Sequence, residues 1–292
     1  MLKNLIHAFF SHTKSGTRPD LVCENQSLKP ALMVICPSAI ACKHSAQIVM
    51  NYFSTIIHMT DTHLGDQPDF RLWGLPVGAM FERVMADARE RFPKVDLVVH
   101  TGDVTHDAGQ AAAARVETLL GELGAPVGFT PGNHDLAEVM GGEPVCFDLP
   151  GWRVLLIDSR KSEAVEGWVE QGMLDWLDAM LRQATTPVLI GLHHPPLPTG
   201  TAWLDGIGLG NAGALWAVIR GHARVRAIIH GHAHMEQTTL HEGVLVLGTP
   251  STNGQFRPQA LRFALDDQPP GYRWLRLHRD GRLETGVVRV SL

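Results

Sequence analysis

One recurrence constrains this chain more than any other feature: five strand-like apolar runs each stop on a short polar cluster. The clusters are Asp61-Thr62-His63, Gly102-Asp103, Gly132-Asn133-His134-Asp135, His193-His194 and Gly231-His232-Ala233-His234. Segments with helical periodicity lie between them, so strands and helices alternate. Alternation of this kind predicts a mixed α/β fold, and such folds collect their ligand sites at the ends of their strands.

Helical spacing is read over residues 77–91, 107–123, 170–183 and 212–221, and strands over 51–59, 96–100, 126–130, 152–157, 187–192, 225–230 and 244–247. The tail, 272–277 and 283–290 around Asp280-Gly281, reads as a β-hairpin. Residues 1–49 differ, with no sustained period and with Cys23, Cys36 and Cys42 among them. We expect an irregular, dispensable N-terminal extension over 1–49 and one domain over 50–292. That domain keeps only Cys146, too few for an internal disulfide, so a reducing cytoplasm is the expected compartment. No run approaches the roughly 20 apolar residues of a membrane-spanning helix, and a net charge of −5 speaks against a nucleic-acid partner.

Chemistry narrows the polar clusters further. In D-x-H and H-x-H, a spacing of two on extended backbone sends both side chains to one side. Carboxylate, imidazole and amide oxygen without thiolate suit iron, manganese or zinc, and disfavour a thiolate zinc site or an all-oxygen calcium cage. Each cluster alone has a bland reading: D-x-H is usually a turn, Gly-Asp is common, and His-His before Pro195-Pro196 could be a loop. Five together point to a dinuclear metal site. Elsewhere, His58, His100 and His230 read as hydrogen-bonded core, and His106, His222, His241 and His278 as solvated. Asp158 is either a neighbour of the site or a strand-end turn. Trp203 and Asn211 are either a wall or lid against a nucleobase or a surface loop.

In order and placement, the series from Ile56 to His234 resembles the calcineurin-like metallophosphoesterase signature. It is most similar to the bacterial class III cyclic nucleotide phosphodiesterases, through His193-His194-Pro195-Pro196-Leu197-Pro198, Trp203-Leu204-Asp205, Asn211-Ala212, Thr249-Pro250-Ser251-Thr252 and Pro270-Gly271-Tyr272-Arg273. The resemblance implies a four-layer αββα sandwich and two divalent metal ions, iron or manganese first and zinc as an alternative. It implies Asp61, His63 and His234 on one metal, Asn133, His193 and His232 on the other, and Asp103 bridging, with His194 able to exchange roles with His193. A substrate phosphate would face His63, Asp103, Asn133, His134, His193 and His234, with His134 as general acid and Asp135 orienting it. The implied activity is hydrolysis of 3′,5′-cyclic AMP to 5′-AMP by a hydroxide bridging the metals. Alternatives are a broader phosphodiesterase or phosphomonoesterase acting on glycerophosphodiesters or nucleotide sugars, and a metal-poor scaffold, which the intact donor set disfavours. The expected partner is a small phosphodiester; the oligomeric state stays open, a homodimer being one option.

Overall fold

The structure, a computed structural model, describes residues 53–291. The expectations for residues 1–49 and for the start of the domain at Met50 lie outside the described residues.

The chain runs β1 (Phe53–Met59), α1 (Val77–Arg91), β2 (Leu97–His100), α2 (Gln110–Gly121), β3 (Val127–Phe129), β4 (Val145–Leu149), β5 (Trp152–Leu156) and α3 (Gln171–Gln183). It continues through β6 (Val188–Gly191), α4 (Ala202–Asp205), α5 (Ala212–Arg220), β7 (Val225–His230), β8 (Gln237–His241), β9 (Val244–Gly248), β10 (Gln255–Phe256), β11 (Leu265–Asp266), β12 (Gly271–His278) and β13 (Leu283–Arg289). One large sheet has the order β13-β12-β1-β2-β3 and a second β4-β5-β6-β7-β9-β8, while β10 and β11 form a separate two-stranded sheet. The inner strands of the two large sheets are parallel, whereas β12, β13, β4 and β8 pair antiparallel at the flanks.

The layering follows from strand alternation. Within β1, Ile56 packs in a cluster with Val154, Leu189 and Ile229 of the other sheet, while Ile57 and Met59 turn to Phe81, Val84 and Val116 of α1 and α2. In the second sheet, Val154 and Leu156 face inward, and Leu155 meets Leu177 and Ile219 of α3 and α5. Both faces of the central strands are therefore apolar, which is why they read as continuous hydrophobic runs. Three apolar clusters, helix–sheet, sheet–sheet and sheet–helix, make the expected αββα sandwich. Arg273 of β12 fastens the sheets: buried, it donates to the carbonyls of Gly248 and Gln237 at 2.9 and 3.1 Å.

Most elements lie where periodicity put them, with α1 and β7 coinciding at both ends. The helix expected from residue 107 begins instead at Gln110, because Asp107 has a left-handed backbone, φ 50°, and donates its N–H to His134 O. The strands β4 and β8 went unread; both are outer strands of the six-stranded sheet and only partly covered.

Candidate metal centre

The carboxyl ends of β1, β2, β3, β6 and β7 open on the same edge of the two sheets. Asp61 and His63 follow β1, Asp103 follows β2, Asn133 follows β3, His193 follows β6, and His232 and His234 follow β7. Main-chain bonds lash these loops together: Asp61 N–H to Gly102 O at 3.0 Å, His63 N–H to Asp103 O at 2.9 Å, and Gly231 N–H to His193 O at 3.0 Å. Across the sheets, the Asp61 carboxylate accepts the His232 N–H at 3.1 Å. Asn253 Nδ2 and Ser251 Oγ each donate to Asp61 O at 2.8 Å, so the Thr249–Asn253 loop clamps the first cluster from behind.

The expectation of extended backbone in D-x-H and H-x-H is corrected here. Asp61, His63, Asp103, His232 and His234 all have left-handed φ, at 54°, 49°, 51°, 64° and 47°. Non-glycine residues enter that region at a cost of about 1–3 kcal/mol each, and such strain gathers at functional sites. The turns aim the donors inward more tightly than a β pleat does. Gly102, at φ +90°, lets the second loop close: a Cβ there would lie 2.6 Å from Gly132 N and 2.7 Å from His193 Nδ1.

What converges is a set of acceptors facing one another. The Nδ1 atoms of His234 and His193 lie 2.7 Å from the carbonyls of Gly254 and Thr101, so each must donate there. Their Nε2 atoms then present lone pairs inward in the neutral rings, the arrangement found when the other ring N–H of a ligating histidine is fixed by a carbonyl. His234 Nε2 lies 3.3 Å from His63 Nε2 and 3.4 Å from Asp61 Oδ1. His193 Nε2 lies 3.2 Å from His232 Nδ1, 3.3 Å from Asn133 Oδ1 and 3.4 Å from Asp103 Oδ2. Asp103 Oδ2 is also 3.4 Å from His63 Nε2, and so belongs to both groups. The ligand atoms of Asp61, His63 and His234 lie within 4.8 Å of one another, as do those of Asp61, Asp103 and His193. The buried His232 Nε2 has no hydrogen-bond partner. Two nests of lone pairs this close together fit cations.

Protonation tells the same story. Burial resists charge on His193, yet Asp103 and Asp61 lift it to about 9. Burial likewise raises Asp61, and His234 and His193 more than reverse this, holding it well below the usual carboxylate range. Burial, aided by the neighbouring His193, sinks His232 to about 3. The carboxylates thus demand positive charge that most of the buried imidazoles cannot supply as protons.

His194 borders the convergence, with a ligand atom within 4.8 Å of those of His193 and His232, but its Nδ1 meets Ser159 Oγ at 2.9 Å and its Nε2 meets Val165 O at 3.1 Å. His134 sits at the rim, its N–H donating to Asp103 Oδ1 at 2.9 Å and its ring 5.1 Å from that of His63. Asp135 does not reach it. The Asp135 carboxylate is consumed by the N–H groups of Gly132, Val104 and Thr105 at 2.9, 3.2 and 2.8 Å, so it shapes the loop; the carboxylate beside His134 Nδ1 is Asp107, at 3.4 Å. His58, His100 and His230 are buried as read. His106 is not solvated: its Nδ1 lies 3.1 Å from His63 Nδ1 and its ring stacks on His134 at 4.4 Å. Its position three residues beyond Asp103 is the one local signal that could have drawn it in. His278 is buried too, its Nε2 2.9 Å from Glu284 Oε1. Asp158 pins Arg160, which donates to Asp135 O and Gly141 O and so braces the loop after the third cluster. Asn211 spends its amide on both backbone groups of Val169, at 2.9 and 2.8 Å.

A fold of two facing sheets with an acid- and histidine-lined edge defines a class, and comparison agrees: the calcineurin-like phosphoesterase family model matches residues 54–236, and this chain belongs to that family. The resemblance read from the sequence is borne out by curated relatives. A 3′,5′-cyclic adenosine monophosphate phosphodiesterase of Pseudomonas aeruginosa is 36% identical over 257 residues, covering 85% of this chain and 94% of the relative. A 3′,5′-cyclic-nucleotide phosphodiesterase of Nostoc is 34% identical over 245 residues, covering 81% and 92%. Among solved structures, a dimetal phosphatase from Danio rerio shares the fold with a TM-score of 0.58 at 18% identity, covering 82% of this chain and 99% of that one. Among the described residues, no helix is long and apolar enough to cross a membrane.

Proposed function

We propose that this phosphoesterase opens 3′,5′-cyclic AMP to 5′-AMP at a centre for two divalent ions, iron or manganese in first place. The observation that carries the reading is Asp103, whose Oδ2 stands 3.4 Å from both His63 Nε2 and His193 Nε2. That position suits a bridge, with Asp61, His63 and His234 on one ion and Asn133, His193 and His232 on the other. His193, rather than His194, takes the ligand role because both nitrogens of His194 are engaged elsewhere. When bound, such a pair clamps phosphate oxygens and lowers the pKa of water toward neutrality.

The chain's own groups do the rest. The tie from its N–H to Asp103 fixes His134 beside the centre, and Asp107 at Nδ1 orients the ring, leaving Nε2–H to protonate the departing 3′ oxygen. His106, flat against that ring, limits its swing. A phosphodiester, rather than nucleic acid, is the partner we infer, and the names of the relatives favour a cyclic nucleotide. The compartment we infer is a reducing cytoplasm, since the domain keeps a single cysteine, Cys146. Kinetics on manganese- or iron-loaded protein test the reading, with 3′,5′-cyclic AMP, 2′,3′-cyclic AMP, bis-p-nitrophenyl phosphate and p-nitrophenyl phosphate as substrates. The highest kcat/KM is expected on 3′,5′-cyclic AMP; a preference for p-nitrophenyl phosphate would make the protein a monoesterase.

A further inference from the structure

Next to the donor cluster stands a group of aromatic rings that the metal chemistry leaves unused. Residues 72–75 form a tight hairpin in which Leu72 and Leu75 exchange N–H···O bonds of 3.1 and 2.8 Å. Its central residues, Trp73 and Gly74, both have positive φ, 52° and 80°. Two positive φ values mark a type I′ turn, whose first central position ordinarily goes to Asn, Asp or Gly. A bulky indole held there is an outlier. Nor does it serve to fill the core, since Trp73 is 37% exposed and Phe263 beside it 49% exposed, their ring centroids 5.3 Å apart.

The pair borders the metal centre. Trp73 lies 5.8 Å from the His234 ring and 6.2 Å from the His63 ring. Phe256 stacks on His234 at 4.1 Å and meets Trp73 edge-on at 5.5 Å, and Trp203 backs Phe256 and Phe263 at 5.2 and 5.7 Å. Gly254 permits this closeness: a Cβ there would stand 2.8 Å from Leu75 and 3.3 Å from Trp73, while its carbonyl accepts the His234 Nδ1–H.

We propose that Trp73 and Phe263 form the platform on which the substrate's purine base stacks, while its phosphate lies over the side of the centre built by Asp61, His63 and His234. This rests on the proposed cyclic nucleotide activity and extends it to what recognises the base. Stacking uses the π-face that every base has, so it carries little of the hydrogen-bond information that separates adenine from guanine. Cyclic AMP and cyclic GMP are therefore expected to differ less than either differs from a cyclic nucleotide without its base.

The test compares wild type, Trp73→Ala, Trp73→Phe and Phe263→Ala on 3′,5′-cyclic AMP and on the base-free ribose 3′,5′-cyclic phosphate. The ratio of the two kcat/KM values is expected to fall about 10- to 100-fold in Trp73→Ala, mostly through KM for cyclic AMP, and to recover largely in Trp73→Phe. A parallel measurement needs no turnover of cyclic AMP: competition by 5′-AMP and by ribose 5-phosphate against hydrolysis of bis-p-nitrophenyl phosphate. Wild type should bind 5′-AMP at least about tenfold more tightly, and Trp73→Ala should lose that preference. An unchanged ratio, or an equal loss on both substrates, overturns the platform. Wild type that prefers 5′-AMP yet does not open cyclic AMP would keep the platform and overturn the proposed reaction.

Discussion

Replacing His106 by Ala should weaken metal binding on one side of the centre and leave the other nearly untouched. His106 Nδ1 lies 3.1 Å from His63 Nδ1, so the two nitrogens share one proton across a hydrogen bond. If His63 donates, its Nε2 is left as a lone pair aimed at His234 and Asp103, at 3.3 and 3.4 Å. Removing such an outer partner typically costs 10–100-fold in metal affinity, or about 1.4–2.7 kcal/mol. His193, by contrast, is fixed by the Thr101 carbonyl at 2.7 Å, which the substitution does not reach. Calorimetric titration of metal-free protein with manganese should show one binding step weakened by that factor and the other preserved. His106→Gln, which keeps an acceptor, should recover part of the loss. Equal weakening of both steps would indicate general damage, and unchanged affinity would refute the linkage through His63.

Three further expectations follow from the same geometry. His134→Ala should cut turnover of 3′,5′-cyclic AMP by about 10²–10⁴ but slow bis-p-nitrophenyl phosphate far less, because a nitrophenolate needs no proton on leaving; equal losses would remove the general-acid role. Metal-free protein should lose stability as pH falls from 7 to 5. Burial holds His100 and His230 at about 4 and His232 at about 3, so the folded state keeps them neutral while the unfolded chain gains protons below 6.5. Asp135, raised to about 6 by burial and by Asp103, and His193, raised to about 9, act in the opposite sense. His58, His63 and His194, likewise held neutral by burial, add to the loss, so the balance is a net loss, measurable as a drop in urea midpoint, and a flat or rising profile would contradict it. Arg273→Ala should cost about 3 kcal/mol or more, since it strips the buried Gly248 carbonyl and the part-buried Gln237 carbonyl of their charged donor, and a midpoint shift worth less than about 1 kcal/mol would deny the fastening role.

The αββα layering was legible because β1, β5, β6 and β7 bury both faces and α1 and α3 bury one, so periodicity alone separates them. The outer strands β4 and β8 carry mixed, partly exposed residues such as Asp148, Thr238 and Thr239, and pairing with β5 and β9 rather than their own pattern makes them strands. The donor motifs were legible because each is a short local cluster. Their left-handed backbone was not, since it is set by bonds between loops, such as His63 N–H to Asp103 O. The same holds for His106 and Asp107, whose partners His63 and His134 lie in other motifs, and for Asp135, which the backbone of Val104 and Thr105 claims before His134 can. Trp73 sits in an ordinary-looking Leu-Trp-Gly-Leu stretch, and only its φ and its ring neighbours single it out.

Anomalous diffraction at the metal edges, with elemental analysis of the same active protein, addresses the central claim most directly. The expected map holds two ions per chain, one against Asp61, His63 and His234, the other against Asn133, His193 and His232, with the Asp103 carboxylate between them. A single ion, none, or ions bound away from these seven side chains would contradict it.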